Sequence, residues 1–510
     1  MSYRALFSLM IATLIAAAPS AVGADDVPDA ATIEHNVAVA RGTRPTSWSE
    51  TVTTTYSNGG VTVTHELDLG DDRRTIVDEP PFHTENGLVG GKRWRQNANG
   101  QVVLVQPDPE PEGEVPTTTT VQRVHVPFDA YVVARLTHDG LGVRRFVDPL
   151  TWHVVRIENA TANGTIVTTF DDFRTVVGFT LAQHWHAEDP VSGLTSDTRV
   201  TDVNTQPVTA SDVAIPPPQR ALVEFPAGVD RVTLPTVFQP HHVDVHVMIG
   251  DRMVDLVLDS GAGGIFLDSE VAKSLGLSVI GRHEAVTAQR HESGRAIVPE
   301  MRVGSLTMRN VAITVGPLAW KTGSDVKEVG LLGFDFIAEL GLTIDYANQT
   351  VTAVPTGTMP APTDPGTIAL DVRLGTGQPL TSARVNGSAS ERWMIDTGAG
   401  GPVLIFSYFA RRHPEALRDA GSVFDRRQRD FYGIGGAFDT KSYRVADFQL
   451  GPVDFKNFLC YLVTSKGAYD SPTDGTIGPD FLKYFTVSFD YVNSRLYLVP
   501  NRFGQQAMHH

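Results

Sequence analysis

A six-residue motif occurs twice in the second half of this chain of 510 residues. The first copy, residues 259–264, reads DSGAGG and begins with Asp259, and the second, residues 396–401, reads DTGAGG and begins with Asp396. Each copy follows an apolar pair of residues, which is typical of a strand that leads into a tight loop. The duplication predicts two similar lobes that face each other, each of which contributes one carboxylate to a shared site.

The similarity between the two halves extends well beyond the motif, over residues 216–510. Two further blocks recur in the same order in both halves: 303–310 with 450–457, and 330–348 with 475–493. Each unit is expected to contain a β-hairpin, the motif loop, a short helix and an apolar-apolar-Gly turn. We therefore predict a first unit (216–356) and a second unit (367–510), joined by the proline-containing linker 357–366.

The chain before residue 216 has a different character. Residues 1–24 combine Arg4, an apolar stretch and small residues near position 24, which predicts a cleaved export signal and a periplasmic or secreted protein. Residues 25–215 contain many Val- and Thr-rich runs with a period near two, separated by Asn-Gly and Gly-Gly turns. They predict an antiparallel β-rich domain, and residues 170–204 loosely resemble the half-barrel of bacterial lipoprotein-carrier proteins.

Charge and hydropathy exclude some classes of partner. The formal net charge is -16 at pH 7, whereas a protein that binds nucleic acid needs a basic face. The apolar stretch near the N-terminus is too short for a transmembrane helix, and no later segment is long and apolar enough. We therefore expect no nucleic-acid partner and no transmembrane segment.

The two motif carboxylates suit acid–base chemistry if they meet. Like charges a few ångströms apart raise one pKa, so Asp259 and Asp396 would share one proton over a range of acidic pH. One carboxylate can then take a proton from water while the other protonates or polarises a scissile carbonyl. This pattern predicts amide hydrolysis without a covalent intermediate and without a metal or organic cofactor.

The other residues of the motif support such a loop. Gly261 and Gly398 let backbone amides approach the neighbouring carboxylate and tolerate positive φ. Ser260 and Thr397 each place a hydroxyl beside an Asp, suited to a hydrogen bond to the opposite loop.

Together, the two motif loops and the two apolar-apolar-Gly turns resemble the aspartic protease superfamily, and most closely its retropepsin-like bacterial branch. The resemblance covers roughly residues 220–500 and implies a bilobal acid-protease fold with a pseudo-twofold axis. It implies that Asp259 and Asp396 are the catalytic pair and that Ser260 and Thr397 grip the opposite loops. Two lobes in one chain are pepsin-like, which implies a monomer with an intrachain site and a polypeptide substrate.

The same resemblance implies a flap over the cleft. In the first unit the candidate is 286–297, which carries an unusual number of charges. In the second unit the candidates for flap or substrate-binding residues are Tyr432, Gly433, Ile434 and Gly435.

Several alternatives stay open on the sequence. The same cleft could bind peptides without cleaving them, the N-terminal domain could carry a lipid or apolar ligand in the cell envelope, or lobes of different chains could pair. His241, His242 and His246 invite a metal site, but no carboxylate or Cys nearby in the sequence completes a ligand set. We therefore expect these histidines to be ordinary surface or core residues and predict no metal.

Overall fold

The computed structural model describes residues 27–106, 117–126, 128–204, 207–217, 221–318, 328–375, 377–418, 421–422, 431–469 and 473–508. The predicted export signal, 1–24, lies outside these residues. Within the described ranges, no helix has both the length and the apolar character needed to cross a bilayer. The chain is mainly β, as the sequence predicts, with a large antiparallel sheet followed by two β-barrel-like units.

Thirteen strands of the N-terminal part form one antiparallel sheet. They are β1 (Ser47–Tyr56), β2 (Val61–Leu69), β3 (Asp72–Glu79), β4 (Phe82–Val89), β5 (Lys92–Gln96), β6 (Val102–Val105), β7 (Thr117–Val124), β8 (Ala130–Thr137), β9 (Gly142–Val147), β10 (Val154–Thr161), β11 (Gly164–Val176), β12 (Phe179–Asp189) and β13 (Leu194–Asn204). Neighbouring strands follow each other in the chain, except where β1 pairs with β13 and joins the two meanders. The long Thr- and Val-rich runs of the sequence are the strands of this sheet.

Two helices accompany the sheet, α1 (Ala30–Arg41) and α2 (Ala210–Val213). The helix α1 begins at Asp29, whose side chain accepts a hydrogen bond from the backbone amide of Thr32. Its Ile33 is completely buried and packs with Tyr131, Val133 and Val147 of the sheet. One face of the sheet is thereby covered by its own N-terminal helix.

The first unit contains twelve strands and two helices in the described residues. They are β14 (Val223–Glu224), β15 (Val232–Thr233), β16 (Thr236–Phe238), β17 (Val243–Ile249), β18 (Arg252–Leu258), β19 (Ile265–Asp268), α3 (Ser269–Ser274), β20 (Ile280–Val286), β21 (Arg290–Val303), β22 (Leu306–Gly316), β23 (Glu328–Leu332), α4 (Phe334–Ile337), β24 (Leu340–Asp345) and β25 (Thr350–Pro355). Asp268 caps α3 by accepting hydrogen bonds from the amides of Glu270 and Val271. The predicted linker 357–366 follows, in a stretch without helix or strand.

The second unit repeats this plan. Its elements are β26 (Ile368–Asp371), β27 (Leu380–Val385), β28 (Ser388–Ile395), β29 (Val403–Ile405), α5 (Ser407–Arg412), α6 (Pro414–Arg418), β30 (Gly421–Ser422), β31 (Phe431–Gly433), β32 (Gly436–Phe438), β33 (Thr440–Leu450), β34 (Val453–Val463), β35 (Gly475–Ile477), α7 (Pro479–Leu482), β36 (Phe485–Asp490), β37 (Arg495–Pro500) and α8 (Arg502–Met508). Equivalent turns share unusual backbone angles: φ is +57° at Gly304 and +56° at Gly451. Glycine tolerates these angles because it has no Cβ.

One sheet connects the two units, in the order β15-β25-β24-β36-β37-β26. At its centre the equivalent strands β24 and β36 pair antiparallel, as a twofold axis between the units requires, and the hydroxyls of Thr343 and Ser488 lie 2.9 Å apart. A single apolar cluster runs through both units, from Leu222 to Leu498. The two units therefore share one core, and the two motif loops are held at fixed positions relative to each other.

Candidate active site

Each motif loop leaves a strand that is held by a parallel partner. In the first unit β18 pairs with β23, and in the second β28 pairs with β35. The amide of Asp259 donates to the carbonyl of Leu332 (3.1 Å), and the amide of Asp396 donates to the carbonyl of Ile477 (3.0 Å). The apolar-apolar-Gly turn of each unit thus fixes the backbone of its own motif Asp.

The glycine of that turn is required by close packing. A Cβ on Gly333 would lie 2.3 Å from the carbonyl oxygen of Gly264, and one on Gly478 would lie 2.3 Å from that of Gly401. Because side-chain atoms cannot approach a carbonyl so closely, any larger residue would push the turn away from the motif loop. The recurrence of this glycine in both halves of the sequence therefore has a steric cause.

The two loops grip each other through reciprocal hydrogen bonds. The amide of Ser260 donates to Thr397 Oγ1 (3.0 Å), and the amide of Thr397 donates to Ser260 Oγ (3.1 Å). Each hydroxyl then donates across the interface, Ser260 to the carbonyl of Ile395 (2.8 Å) and Thr397 to that of Leu258 (2.6 Å). Both hydroxyl residues are completely buried, so these four bonds satisfy groups that water cannot reach.

This grip brings the two carboxylates together. A Cβ on Gly261 would lie 2.5 Å from Asp396 Cγ, and one on Gly398 would lie 2.5 Å from Asp259 Cγ. Each motif glycine therefore leaves the space that the carboxylate of the other unit occupies. The amides of Gly261 (2.8 Å) and Gly398 (3.0 Å) also donate to the Asp of their own loop.

Burial and mutual repulsion set the protonation of this pair. Burial raises the pKa of Asp259, and hydrogen bonds from Asp396 and from the loop amides oppose that rise. The pKa of Asp396 is raised well above its ordinary value, first by burial and then by the charge of Asp259. Both pKa values are raised, that of Asp396 more strongly, so the coupled pair retains one proton over a range of pH.

Two hairpins meet near the dyad. The first hairpin is formed by β20 and β21 with its tip at 287–289, and the second hairpin by β31 and β32 with its tip at 434–435. The hydroxyl of Thr287 and the amide of Ala288 both donate to the carbonyl of Ile434, and Gln289 Nε2 donates to the carbonyl of Ala437 (2.6 Å). The tips are thus bonded to each other.

Each hairpin tip places an apolar side chain in a hydrophobic cluster of the other unit. Ala288, from the first hairpin, packs in a cluster of the second unit that includes Phe406 and Phe431. Ile434, from the second hairpin, packs in a cluster of the first unit that includes Phe266 and Leu331. The hairpins are therefore closed over the region between the units, and a long substrate could enter only after they separate.

The flap residues predicted in the second unit lie in this hairpin. Gly433 is so close to Tyr469 that a Cβ would lie 2.0 Å from the phenol oxygen, and a Cβ on Gly435 would lie 2.5 Å from the carbonyl oxygen of Gln289. Ile434 forms the tip contact, whereas the side chain of Tyr432 is 41% exposed. Contact between Tyr432 and a substrate stays a prediction.

The charges of the first hairpin face the N-terminal sheet rather than the dyad. Arg290 Nη1 donates to the carbonyls of Pro190 (2.7 Å) and Val191 (2.8 Å). Arg295 forms an ion pair with Glu79, and its guanidinium lies 4.2 Å from the ring centroid of Phe82. Contacts with the N-terminal sheet therefore account for Arg290 and Arg295, whereas Glu292 pairs with Arg282 inside the first unit.

Three tyrosines near the dyad, of which Tyr491 is buried and Tyr346 and Tyr469 are partly buried, were not recognised from the sequence. Tyr346 and Tyr491 occupy equivalent positions in the two units, where each is the Tyr of the Asp-Tyr pair in the recurring block. Tyr469 lies beside the second hairpin. Burial raises the pKa of each phenol, and the dyad charges add to the rise. The repeat alignment already paired Tyr346 with Tyr491 and was the signal that could have identified them.

The three histidines considered as metal ligands have separate surroundings. His241 lies 3.3 Å from Asp480, and His246 pairs with Asp255. His242, in contrast, lies beside two buried carboxylates, Asp244 and Glu328. The sequence analysis missed this group because Glu328 is 86 residues away along the chain.

Comparison with protein families gives one match, which lies within the first unit. Residues 245–336 match the family model described as Aspartyl protease. The match supports an aspartyl protease domain and includes Asp259 but not Asp396. No curated protein of similar sequence was found.

Solved structures with partial likeness cover different parts of the chain. A retropepsin-like aspartic protease from Rickettsia conorii is 20% identical, with 24% of this chain and 98% of that chain covered and a TM-score of 0.19. A LolA superfamily protein from Nitrosomonas europaea is 13% identical over 37% of this chain and 99% of that chain, with a TM-score of 0.29. A putative outer membrane lipoprotein-sorting protein domain from Vibrio parahaemolyticus is 12% identical over 36% and 94%, with a TM-score of 0.28. None of these likenesses assigns a function to this chain.

Proposed function

We propose that this chain is an exported aspartic endopeptidase that acts as a monomer on extended polypeptides. The observation that carries the proposal is the juxtaposition of Asp259 and Asp396, each of which fills the space left by the glycine of the opposite motif. Two carboxylates in contact, that of Asp259 buried and that of Asp396 partly buried, which can share one proton, are the machinery that water-activating amide hydrolysis requires.

The proposed mechanism follows from the unequal protonation of the pair. Ionised Asp259 takes a proton from a water molecule while the water oxygen forms a bond to the scissile carbonyl carbon. Asp396 donates its proton to the carbonyl oxygen, which balances the charge of the tetrahedral intermediate. The carbon–nitrogen bond then breaks as the leaving nitrogen accepts the proton that Asp259 took from water, while a hydroxyl of the intermediate returns a proton to Asp396, and no covalent enzyme intermediate forms.

We propose that the two hairpins act as a gate that opens to admit the substrate and closes over it. Their tips are joined by hydrogen bonds and by the exchanged side chains of Ala288 and Ile434. Opening would expose backbone groups that an extended peptide can pair with, and closing would exclude water from the reaction.

Incubation with a diverse peptide library at several pH values tests the proposal. The wild type should cut internal bonds, and Asp259→Asn and Asp396→Asn should each abolish the cuts. Asp255→Asn is the matched control, because Asp255 lies on the same strand as the first motif but outside the dyad, and it should retain the cleavage pattern. Cleavage that survives in both dyad variants, or no cleavage by folded wild type, would contradict the proposal.

The alternatives raised by the sequence remain predictions with their own tests. A non-cleaving peptide-binding protein would retain peptides on a column in the wild type and in Asp396→Asn alike, without products. An envelope carrier would yield lipid by extraction of the purified full chain. The paired carboxylates favour the protease, because binding alone gives no reason to hold two acids in contact away from water.

A further inference from the structure

His242, Asp244 and Glu328 form a compact group outside the dyad, here called the His-Asp-Glu cluster. His242 Nε2 lies 2.9 Å from Glu328 Oε1 and 3.3 Å from Asp244 Oδ1, and one ligand atom of each residue lies within 4.8 Å of the others. Asp244 is on β17 and Glu328 begins β23, which lie on either side of β18. The cluster therefore spans the strand that leads to Asp259.

We propose that the His-Asp-Glu cluster binds one divalent cation of the zinc or manganese type, with a structural role. Imidazole and carboxylate are ligands for both ions. Two atoms that each lie about 2.1 Å from a tetrahedral Zn²⁺ are separated by about 3.4 Å, and by about 3.0 Å at a right angle. The distances from His242 Nε2 to the two carboxylates are close to these values.

Unsatisfied oxygens in the cluster point to a missing partner. The side chains of Asp244 and Glu328 are fully buried, with 0% exposure. Among the described residues, Glu328 Oε2 has no hydrogen-bond partner, and Asp244 Oδ1 has only the 3.3 Å contact with His242 Nε2, which does not meet hydrogen-bond geometry. Buried carboxylate oxygens normally have one, since their desolvation is otherwise uncompensated. A cation between the side chains would coordinate these oxygens.

The charge balance also favours a cation. The cluster places two carboxylates with fully buried side chains beside a single imidazole. A divalent cation with neutral His242 would neutralise the two carboxylates completely.

The surroundings provide access and support. His242 lines a cavity of about 340 Å³, together with Gln239, Tyr346 and Lys483 among others, through which an ion could enter. Gln239 Nε2 donates to Asp244 Oδ2 (3.0 Å), the oxygen that does not face His242, and so fixes the orientation of that carboxylate. The cation would tie β17 to β23, whose Leu332 carbonyl holds the amide of Asp259.

Metal binding to the full chain tests this proposal without reference to proteolysis. Protein treated with a chelator and dialysed against Zn²⁺ or Mn²⁺ should retain close to one ion per chain and should unfold at a higher temperature with the ion. Glu328→Gln and His242→Gln should weaken the affinity by at least about tenfold. His241→Gln is the matched control, because His241 is the adjacent histidine and lies outside the cluster, and it should bind as the wild type does.

Co²⁺ gives a measurement that needs no variant. Bound to the wild type it should show visible absorption bands of a nitrogen and oxygen ligand set, and Zn²⁺ should abolish them. Absence of bound ion and of these bands in folded wild type would overturn the proposal, as would undiminished binding in Glu328→Gln and His242→Gln. Because the readout is stoichiometry, a negative result here leaves the proposed proteolysis unaffected.

Discussion

At the scale of single residues, the two carboxylates dominate the chemistry of the molecule. Their motif was recognised in the sequence because it occurs twice, and so were the hydroxyl residues beside them. The sequence could not reveal which Asp retains the proton, because that depends on burial and on the distance between the two side chains. It also could not reveal that Glu328 lies beside His242 and Asp244, because the fold brings residues 86 positions apart together.

Stability should respond to pH through Asp396. Its folded pKa lies well above the value of about 3.9 expected in an unfolded chain, so the folded state binds more protons between these values. The contribution of Asp396 to stability is therefore present below the unfolded pKa and is lost as pH rises toward the folded pKa. We therefore expect Asp396→Asn to be more stable than the wild type at neutral pH.

Urea denaturation at neutral and at acidic pH measures this difference. The gain in Asp396→Asn should shrink toward zero below about pH 4, where the wild-type carboxyl is protonated in both states. An Asn variant that is less stable than the wild type at neutral pH would contradict the assignment of the proton to Asp396.

Substitution of Gly398 or Gly400 in the second motif tests whether the two motif loops must approach each other closely. A Cβ on Gly398 would collide with the carboxyl of Asp259, whereas a Cβ on Gly400 would meet nothing within 4 Å. Gly398→Ala should lower kcat/KM for peptide cleavage by about 100-fold or more, because displacement of a reacting group by about 1 Å has an effect of that size. Gly400→Ala should remain within a few-fold of the wild type, and equal losses in both variants would contradict the steric explanation.

At the scale of elements, the sequence predicted the features that depend on residues close together in the chain. The hairpin of β17 and β18, the capped helix α3 and the glycine turns before α4 and α7 all follow from patterns within a few residues. The helix α1 was missed, because the N-terminal region was read as β-rich and only Ile33 of this helix is buried. The pairing of β24 with β36 joins residues 145 positions apart, and no local pattern encodes such a contact.

The exchange of tip residues between the two hairpins predicts coupled opening. Ile434→Ala removes most of the side chain that packs against the first unit, so hydrogen exchange should become faster in both hairpins, 284–291 and 431–438. Tyr432→Ala is the matched control, since Tyr432 is two positions away and largely exposed, and it should leave exchange in the first hairpin unchanged. Acceleration confined to the second hairpin would show that the tips open independently.

At the scale of the whole molecule, the N-terminal sheet contacts the first unit at several places. Asn97 and Asn99 donate to the carboxylate of Asp335, at the start of α4, and burial raises the pKa of this Asp to about 6. The sheet also holds the first hairpin through Arg290 and Arg295. Sequence composition separated this domain from the repeat but could not show that it contacts the hairpin.

Loss of one such contact should loosen the first hairpin. In Arg290→Ala the bonds to the carbonyls of Pro190 and Val191 and the ion pair with Glu284 inside the hairpin are lost, so hydrogen exchange in 284–291 should become faster while global stability changes by less than about 1 kcal/mol. Arg309→Ala is the matched control, because Arg309 is similarly exposed and pairs with Glu224 and Glu300 inside the first unit. Unchanged exchange in Arg290→Ala would mean that the sheet does not restrain the hairpin.

Because the two units belong to one chain, a substitution in one unit leaves the sequence of the other unit unchanged. In an assembly of two identical subunits, any substitution appears on both sides of the axis, so a charged gate on one side would be copied onto the other. Here the strand pair β24–β36 joins the halves, while the first hairpin is charged and contacts the N-terminal sheet and the second hairpin is short and rich in glycine. The two hairpins can therefore differ from each other, although the two motif loops and their carboxylates remain related by the twofold axis.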